Sequence, residues 1–527
     1  MMLLRAFLVC FLLFVIPCTT PAQSPPNHWK ALLVDADQLR SQWTASSWRQ
    51  ARQKYQTVLL KLRRSGLRRE EARVLRSLGL VELALGETTA ALQTLTSSLS
   101  LRKELNIADA ELIDTLNDTA SAQLQIGNNE QARALCNESL ELSRSLSYAK
   151  GEGLTLELMG QVEYASGNLA KSLDLFETAL PILNRAGDDR GLAQTFLDFG
   201  YSYSDLSETD KAKAFYEQAL ALWRKINDPR CEALTLTALG HLYSKLGDKQ
   251  RALNLYYQSI ELLQPVEDRI ALAYNFDGLG FIHAGLGETS AALQDYTKTL
   301  QLFREARFRY GEVGALWRVG QIYIANEDYE TALDYLNNSL TLSRSLGDPR
   351  MQAIPAGLIG QIHERQNQLA LAIEDYKRAL TFNREGKDER EEAYTLSNIG
   401  RVQQAQGSTQ EALDNYTRAL AINRATGDRF GESGTLYRIA VVEQVFGKLK
   451  EAKSHCEQSI SLIESLRGGV ASPDLRSSYV ATVHQVYELY IDVLMSLHNL
   501  DPSAGFDRTA LEASEAGRAR TLLEILA

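Results

Sequence analysis

Cysteine and histidine side chains are the groups in this sequence that could carry out nucleophilic chemistry, because a thiolate needs a neighbouring base. Cys456 directly follows His455, whereas Cys136 and Cys231 have no histidine beside them. These three cysteines are far apart and odd in number, a pattern typical of neither a disulfide framework nor a metal site. No glycine-rich phosphate loop follows a predicted strand. The sequence therefore predicts no catalytic residue, no cofactor and no metal site, and we expect the chain not to be an enzyme.

A glycine that recurs along the chain is the strongest signal in the sequence. Gly79 begins the series, Ala120 and Ala440 occupy the same position, and the intervening copies keep a period of 40 residues: Gly160, Gly200, Gly240, Gly280, Gly320, Gly360 and Gly400. We call this the glycine position. Such a period indicates repeated units, each too small to bury its apolar face alone, that must stack on their neighbours.

The spacing within one repeat predicts two antiparallel helices, helix A and helix B, joined by a tight turn. Ala252, Tyr256 and Ile260 lie four residues apart and therefore on one face of helix B. Gly247 and Asp248 mark the end of helix A and the start of helix B. A glycine in the middle of helix A costs about 1 kcal/mol relative to alanine, so its recurrence predicts a close approach of helix B at that point.

The repeat also explains the cysteines and histidines. Cys136 and Cys456 occupy the position that Tyr256 holds in its own repeat, so we interpret both as core residues and not as nucleophiles. His283 and His363 occupy a helix A position that is tyrosine in other repeats, and we interpret them as packing residues.

These features resemble the tetratricopeptide repeat. The similarity lies in Leu-Gly-x-x-Tyr at 239–243, a Leu-Gly-Asp turn at 246–248 and Ala-Leu-x-x-Tyr at 252–256. It covers residues 30–466, with a 40-residue period in place of the usual 34. The resemblance implies an all-α fold, a right-handed superhelical solenoid of antiparallel helix pairs. Its concave face, lined by the A helices, would hold peptides or partner proteins.

The predicted organisation has four parts: a signal peptide at 1–22, a degenerate N-terminal repeat at 23–66, ten repeats at 67–466 and a helical extension at 467–527. Arg5, an apolar run at 6–16 and small residues at 20–22 predict export to the periplasm or the extracellular space, without a transmembrane span after cleavage. The formal net charge of −10 argues against a nucleic-acid partner, which would need a clustered basic face.

The extension leaves the repeat and carries a second resemblance. Glu515, Arg518, Arg520 and the run Thr-Leu-Leu-Glu-Ile-Leu at 521–526 resemble the segment that joins a tetratricopeptide array to a caspase-like CHAT peptidase domain in bacterial proteins. In that family the catalytic cysteine and histidine lie further downstream. No position up to Ala527 can therefore inherit those roles.

Candidate partner-binding residues follow from the first resemblance, because the family contacts its partners through helix A just before and after the glycine position. The residues at or beside these places are Trp317, Arg318, Gln321, Gln361, Asn398, Arg401, Tyr437 and Arg438. Arginine and amide side chains can bind a carboxylate or an acidic peptide through charge-assisted hydrogen bonds, and aromatic side chains anchor interfaces. The alternative is a solvated helix face without a ligand.

Three functions compete at this stage. The first is a scaffold for protein–protein interactions that binds peptide or protein partners of unknown identity on the concave face. The second is the recognition arm of a CHAT-type peptidase whose catalytic domain is absent from this chain. The third, an enzyme in its own right, lacks a coherent set of nucleophile, base or metal ligands.

Overall fold

A computed structural model describes residues 28–467 and 473–525, and all regular structure in them is helical. The predicted signal peptide lies outside these residues. The chain divides into two compact units, Met1–Ser166 and Gly167–Ala527. The helices of the first unit are α1 His28–Arg40, α2 Ala45–Ser65, α3 Arg68–Ala84, α4 Thr88–Glu104, α5 Ala110–Gln125, α6 Asn129–Ser145 and α7 Ala149–Ala165.

The second unit continues the same alternation of helices. Its members are α8 Leu169–Ala186, α9 Asp189–Asp205, α10 Thr209–Lys225, α11 Pro229–Lys245, α12 Lys249–Leu263, α13 Arg269–Gly285, α14 Thr289–Glu305, α15 Arg309–Ala325, α16 Tyr329–Leu346, α17 Arg350–Arg365, α18 Leu369–Gly386, α19 Glu389–Ala405, α20 Thr409–Thr426, α21 Arg429–Val445, α22 Leu449–Arg467, α23 Pro473–Leu500 and α24 Phe506–Ile525. Between α3 and α22 the odd-numbered helices are A helices and the even-numbered ones are B helices. None of the helices in the described residues is long and apolar enough to cross a membrane.

The glycine position is where the two helices of a repeat come closest. A Cβ atom placed on Gly240 in α11 would lie 2.6 Å from the ring of Tyr256 in α12. Gly200, Gly280 and Gly400 meet a tyrosine ring of their own B helix in the same way. The predicted close approach is therefore confirmed in these repeats, and its partner is the aromatic residue 16 positions later.

The turn between helix A and helix B uses the left-handed region of the backbone. Gly247 has φ 79°, and its N–H donates to the carbonyl of Ser244 at 3.0 Å. The next N–H, of Asp248, donates to the carbonyl of Tyr243 at 2.9 Å, which completes a Schellman motif. Glu327 holds the same place in its repeat with φ 62°, so the geometry of the turn overrides the residue type.

Neighbouring repeats are joined by ion pairs and by buried hydroxyl groups. An arginine near the end of a B helix pairs with a glutamate near the start of the next A helix: Arg63–Glu71, Arg144–Glu152, Arg224–Glu232, Arg304–Glu312, Arg384–Glu392 and Arg424–Glu432, all at 2.6–2.8 Å. Exposed pairs of this kind contribute only about 0–1 kcal/mol each. Beneath them, the buried Thr237 hydroxyl lies 2.9 Å from Ser259 Oγ and 3.1 Å from Asn275 Oδ1 in the next repeat.

The two predicted packing histidines join helix A to helix B through carboxylates. His283 Nδ1 lies 2.7 Å from Asp295 Oδ2, and His363 Nδ1 lies 2.6 Å from Asp375 Oδ2. Burial raises the pKa of Asp295, and the hydrogen bond to His283 works against that increase. The last repeat has the same pair with the residue types exchanged, since His455 Nδ1 lies 2.7 Å from Glu443 Oε2.

Both ends of the repeat region carry an additional helix pair. At the start, the helices α1 and α2 bury Ala51 and Tyr55, and the Tyr55 hydroxyl donates to Asp37 at 2.6 Å. At the end, α23 and α24 pack on the last repeat, with Val493 and Leu494 in one apolar cluster with buried residues of α22. The side chains of Arg520 and of the run at 521–526 lie outside the described residues.

The close contact at the glycine position gives a first prediction. Gly240→Ala should lower the free energy of unfolding by roughly 1–3 kcal/mol, because the new methyl group must displace the Tyr256 ring. Gly357→Ala is the matched control, since its Cβ would lie 4.0 Å from Ala379, and it should stabilise the fold by up to about 1 kcal/mol. The midpoints of urea unfolding measure both effects, and equal shifts would contradict the packing role of Gly240.

The reversed pair in the last repeat gives a second prediction. His363→Glu and Asp375→His should each destabilise the protein by about 1–2 kcal/mol, because each places two like groups face to face. The double variant should recover most of that loss, since Glu443 and His455 already form the exchanged pair. Urea unfolding of the wild type, both single variants and the double variant measures the coupling, and strictly additive effects would disprove it.

Candidate partner-binding face

The predicted binding residues lie on one surface of consecutive A helices in the second unit. Positions 10, 6, 3 and 2 before the glycine position and 1 after it are three or four residues apart, so they form one stripe along a helix. We call this stripe, in the A helices from α9 to α21, the helix A face. Ion pairs between α13 and α15, and between α17 and α19, show that adjacent A helices present these stripes side by side.

Arg318 already has a partner within the protein. Its Nε lies 2.8 Å from Asp277 Oδ1 on the preceding A helix, and its guanidinium lies over the ring of Trp317, 4.6 Å from the ring centre. Burial raises the pKa of Asp277, and the charge of Arg318 opposes that increase. Arg318 and Asp277 therefore form a nearly neutral pair at the floor of the face.

Arg401 is neutralised in a similar way. It pairs with Glu364 of the preceding A helix and donates to Asn398 Oδ1 at 3.2 Å. Glu364 also accepts a hydrogen bond from the Tyr376 hydroxyl at 3.0 Å. Two of the three predicted arginines thus hold internal carboxylates. The prediction that all three bind a partner's carboxylate through free charges needs rearrangement at these two.

Arg438 differs from the other two arginines. It lies against the Tyr416 hydroxyl, and its charge partly offsets the increase in the pKa of Tyr416 that burial causes. Among the residues that the structure describes, no carboxylate lies within ion-pair distance of Arg438. Its charge is therefore available to an acidic partner. The nearby Tyr437 is half-buried, as is Gln361, whereas Gln321 is exposed.

His241 is a residue of this face that the sequence alone did not single out as charged or neutral. Its Nδ1 lies 2.9 Å from the Tyr256 hydroxyl. Part of the ring is open to solvent, but surrounding helices crowd it. Desolvation, followed by the positive charge of Arg318, lowers the pKa of His241 to about 4. The side chain is thus neutral at physiological pH.

Exposed aromatic side chains are the feature that sequence reasoning missed. Tyr274 and Tyr310 flank a pocket of about 230 Å³ whose lining includes Gly314, Trp317 and Arg318. The first three of these residues lie at positions 6 and 10 before the glycine position, one to two helical turns beyond the places that were considered. Following the stripe further along each A helix would have found them.

Comparison with known families decides what kind of protein carries this face. Family models described as tetratricopeptide repeat match residues 37–102, 111–185, 151–225, 191–265, 312–385 and 395–430, which is more than half of the chain. The chain belongs to the tetratricopeptide repeat family. The resemblance predicted from the glycine and tyrosine positions is confirmed, whereas the likeness to CHAT-associated segments stays a prediction.

Solved structures with similar folds include other repeat proteins. BtubC from P. vanneervenii is 18% identical, with 42% of this chain and 89% of that chain covered and a TM-score of 0.33. The apo form of RapI is 16% identical, with 53% and 99% covered and a TM-score of 0.45. A signal transduction ATPase with a tetratricopeptide repeat sensor from Pyrococcus horikoshii is 14% identical, with 72% and 54% covered and a TM-score of 0.47. No curated protein matches the chain.

The tetratricopeptide packing also accounts for the groups that could have been nucleophiles. Cys136 and Cys456 are fully buried, and burial raises the pKa of each thiol to about 12. Desolvation likewise raises the pKa of Cys231 to about 12. His455 faces Glu443 across its helix pair, so it does not serve Cys456 as a base. Within the described ranges, no group of three potential metal ligands comes together.

The low pKa of His241 gives a third prediction. Its folded-state pKa of about 4 lies below the ordinary value of 6.5, so the unfolded chain binds the proton more readily. The stabilising contribution is therefore complete above pH 6.5 and is lost as the pH falls toward 4. His241→Gln should make the decline in urea midpoint between these pH values shallower than in the wild type. Parallel declines in the two proteins would show that His241 does not contribute.

Proposed function

We propose that this tetratricopeptide repeat protein is a protein-interaction scaffold that binds an extended polypeptide on the helix A face. Repeat arrays of this family bind protein or peptide partners through extended surfaces. The family expectation of a concave surface at the A helices favours this side over the B helices. The proposal assigns binding, and no turnover, to the chain itself.

The distribution of exposed aromatic side chains is the observation that carries the proposal. Of the large aromatic residues that are more than a third exposed, most lie on the helix A face: Tyr201, Tyr274, Phe281, Tyr310, Tyr394 and Phe430. Tyr257 on a B helix and Phe446 in a turn are the others in the described residues. Exposed aromatic side chains that cluster on one surface mark interaction sites, because they lose water-exposed apolar area when a partner covers them.

The charges of the face favour a partner with a carboxylate near one end. Arg318 and Arg401 are compensated by Asp277 and Glu364, whereas Arg438 is not compensated among the described residues. A partner carboxylate that reaches Arg438 gains a charge-assisted hydrogen bond without displacing an internal acid.

A second function, recognition for a CHAT-type peptidase, finds support in the C-terminal helices. The pair α23 and α24 packs on the last repeat through Tyr490, whose hydroxyl donates to Glu457 at 2.8 Å. A segment seated in this way would couple the repeat array to a domain attached beyond it. Export, based on the apolar run at 6–16, is part of the same proposal and places the partner outside the cytoplasm.

The free charge of Arg438 gives a fourth prediction. A phage-displayed library of random 16-residue peptides, selected on the immobilised full chain, should yield binders that carry an acidic residue. Arg438→Glu should weaken the synthetic binders by about tenfold or more in fluorescence anisotropy, because a charge-assisted hydrogen bond is replaced by repulsion.

The matched control is Arg418→Glu, which makes the same charge change on the exposed side of helix B in the preceding repeat. It should leave the affinity within about twofold. If the library yields no binder, or if the two variants weaken binding equally, the helix A face is not the binding surface.

A further inference from the structure

Two A helices that lie three repeats apart carry nearly the same sequence. Residues 309–320 read Arg-Tyr-Gly-Glu-Val-Gly-Ala-Leu-Trp-Arg-Val-Gly, and residues 429–440 read Arg-Phe-Gly-Glu-Ser-Gly-Thr-Leu-Tyr-Arg-Ile-Ala. The A helix before each of them has a tyrosine at the equivalent place, Tyr274 and Tyr394. The general repeat does not require this similarity, because the other A helices differ at these positions.

Each of these helices has a glycine that packs against nothing. A Cβ atom added to Gly314 or to Gly434 would meet no atom within 4 Å, whereas one added to Gly320 would lie 3.0 Å from Leu336. The fold tolerates large side chains at this place, 6 residues before the glycine position, since other repeats have Leu154, Leu234, Tyr274, Ile354 and Tyr394 there. After proline, glycine is the residue least favourable to a helix, so neither helix formation nor packing explains Gly314 and Gly434.

Aromatic side chains surround the bare backbone at Gly314. We call the set Tyr274, Tyr310, Gly314, Trp317 and Arg318 cradle 1. Its pocket of about 230 Å³ is smaller than the roughly 300–1,000 Å³ of small-molecule sites, so it suits one large side chain. The base of the pocket is apolar, because the rings of two phenylalanines from the preceding turn, Phe303 and Phe308, also line it.

The equivalent set around Gly434 is Tyr394, Phe430, Gly434, Tyr437 and Arg438, which we call cradle 2. Tyr394 is 63% exposed and Phe430 is 58% exposed. Here the base is polar, because Asn423 and Asp428 stand where cradle 1 has its two phenylalanines. The arginine also differs, since Arg318 is paired with Asp277 and Arg438 has no carboxylate partner among the described residues.

We infer that the two cradles are twin anchor sites for one extended polypeptide, with a bulky apolar side chain in cradle 1 and an acidic side chain in cradle 2. This inference rests on the proposed function and specifies its ligand. The missing side chains at Gly314 and Gly434 leave room for the ligand to touch the helix backbone between two aromatic rings. The contrast between an apolar and a cationic base fixes which end of the ligand enters which cradle.

The separation of the cradles sets the spacing of the two anchors. Packed helices lie about 8–10 Å apart, so three repeats correspond to roughly 30 Å along adjacent A helices. An extended chain advances about 3.3 Å per residue, which places the two anchor side chains roughly nine residues apart. A compact ligand cannot span this distance, whereas a strand-like segment can.

The lining favours a polypeptide over an oligosaccharide. Aromatic rings stack on both classes of ligand, but a sugar ring also needs several hydrogen-bonding groups around its hydroxyls. In cradle 1 the side-chain groups of this kind are two tyrosine hydroxyls, the Trp317 indole N–H and the Arg318–Asp277 pair, and that pair is already engaged. The apolar base made by Phe303 and Phe308 instead matches a hydrocarbon or aromatic side chain.

The test uses the same peptide selection on the full chain, followed by variants that fill each cradle. Enriched sequences should pair a bulky apolar residue with an acidic residue eight to ten positions away. Gly314→Leu should weaken such a peptide at least tenfold, and so should replacement of its apolar residue by serine, but the two changes together should cost little more than one. Gly434→Leu should behave in the same way toward the acidic residue.

Controls keep folding and binding apart. Gly314→Ala and Gly357→Ala should leave binding within about threefold, and thermal unfolding should show that both leucine variants are at least as stable as the wild type. Peptides that bind the wild type and both leucine variants equally, yet are weakened by Arg438→Glu, would overturn the cradles and leave the proposed function standing. Selection of oligosaccharides from a glycan array, with no peptide enriched, would overturn the polypeptide ligand. No binder of either class would overturn both proposals.

Discussion

The contact between an aromatic ring of helix B and the bare backbone of helix A is the constraint on which the rest of the repeat depends. In the repeat of Gly240, the ring of Tyr256 occupies the space that any side chain at 240 would need. This contact sets the distance and register of the two helices. Because the turn is closed by a left-handed residue such as Gly247, the next helix must reverse direction and return along the first.

Close packing on one side of helix A leaves its other side free of structural duties. Burial consumes the glycine position and the apolar residues that face helix B, as in Leu236 and Leu239. The stripe that carries Tyr310, Gly314 and Arg318 contributes little to this core, so its residue types are free to differ between repeats. Variation on this stripe is therefore informative about partners, whereas variation in the core is informative about packing.

The sequence predicted the repeat itself well, because its helical periodicity and its glycine position are local or recur at a fixed interval. The burial of Cys136 and Cys456 followed from the same register. The partners of Arg318 and Arg401 could not be predicted in this way. Asp277 and Glu364 are about one repeat away in the sequence, and only the side-by-side placement of adjacent A helices brings each acid to its arginine.

Glycines show the same limit from another direction. In the sequence, Gly314 and Gly320 are two mid-helix glycines of the same A helix. The structure shows that Gly320 accommodates Leu336, whereas Gly314 accommodates nothing. Local sequence cannot separate a glycine required by packing from one that leaves a space, because the difference depends on what a helix outside that segment places opposite it. The C-terminal helices illustrate the point too, since they pack on the last repeat after the 40-residue register has ended.

Weak single sites explain why a duplicated cradle and a stiff array belong together. Burial of one large apolar side chain contributes about 1.5–3 kcal/mol, whereas micromolar affinity needs about 8 kcal/mol. One cradle therefore cannot hold a ligand by itself. Two cradles on one ligand add their contributions only if the distance between them stays constant and matches the ligand. The ring-on-backbone contacts at Gly360 and Gly400, in the repeats that separate the cradles, keep that distance constant. The interaction that builds the repeat is thus also the one that would make two weak pockets act as a single site.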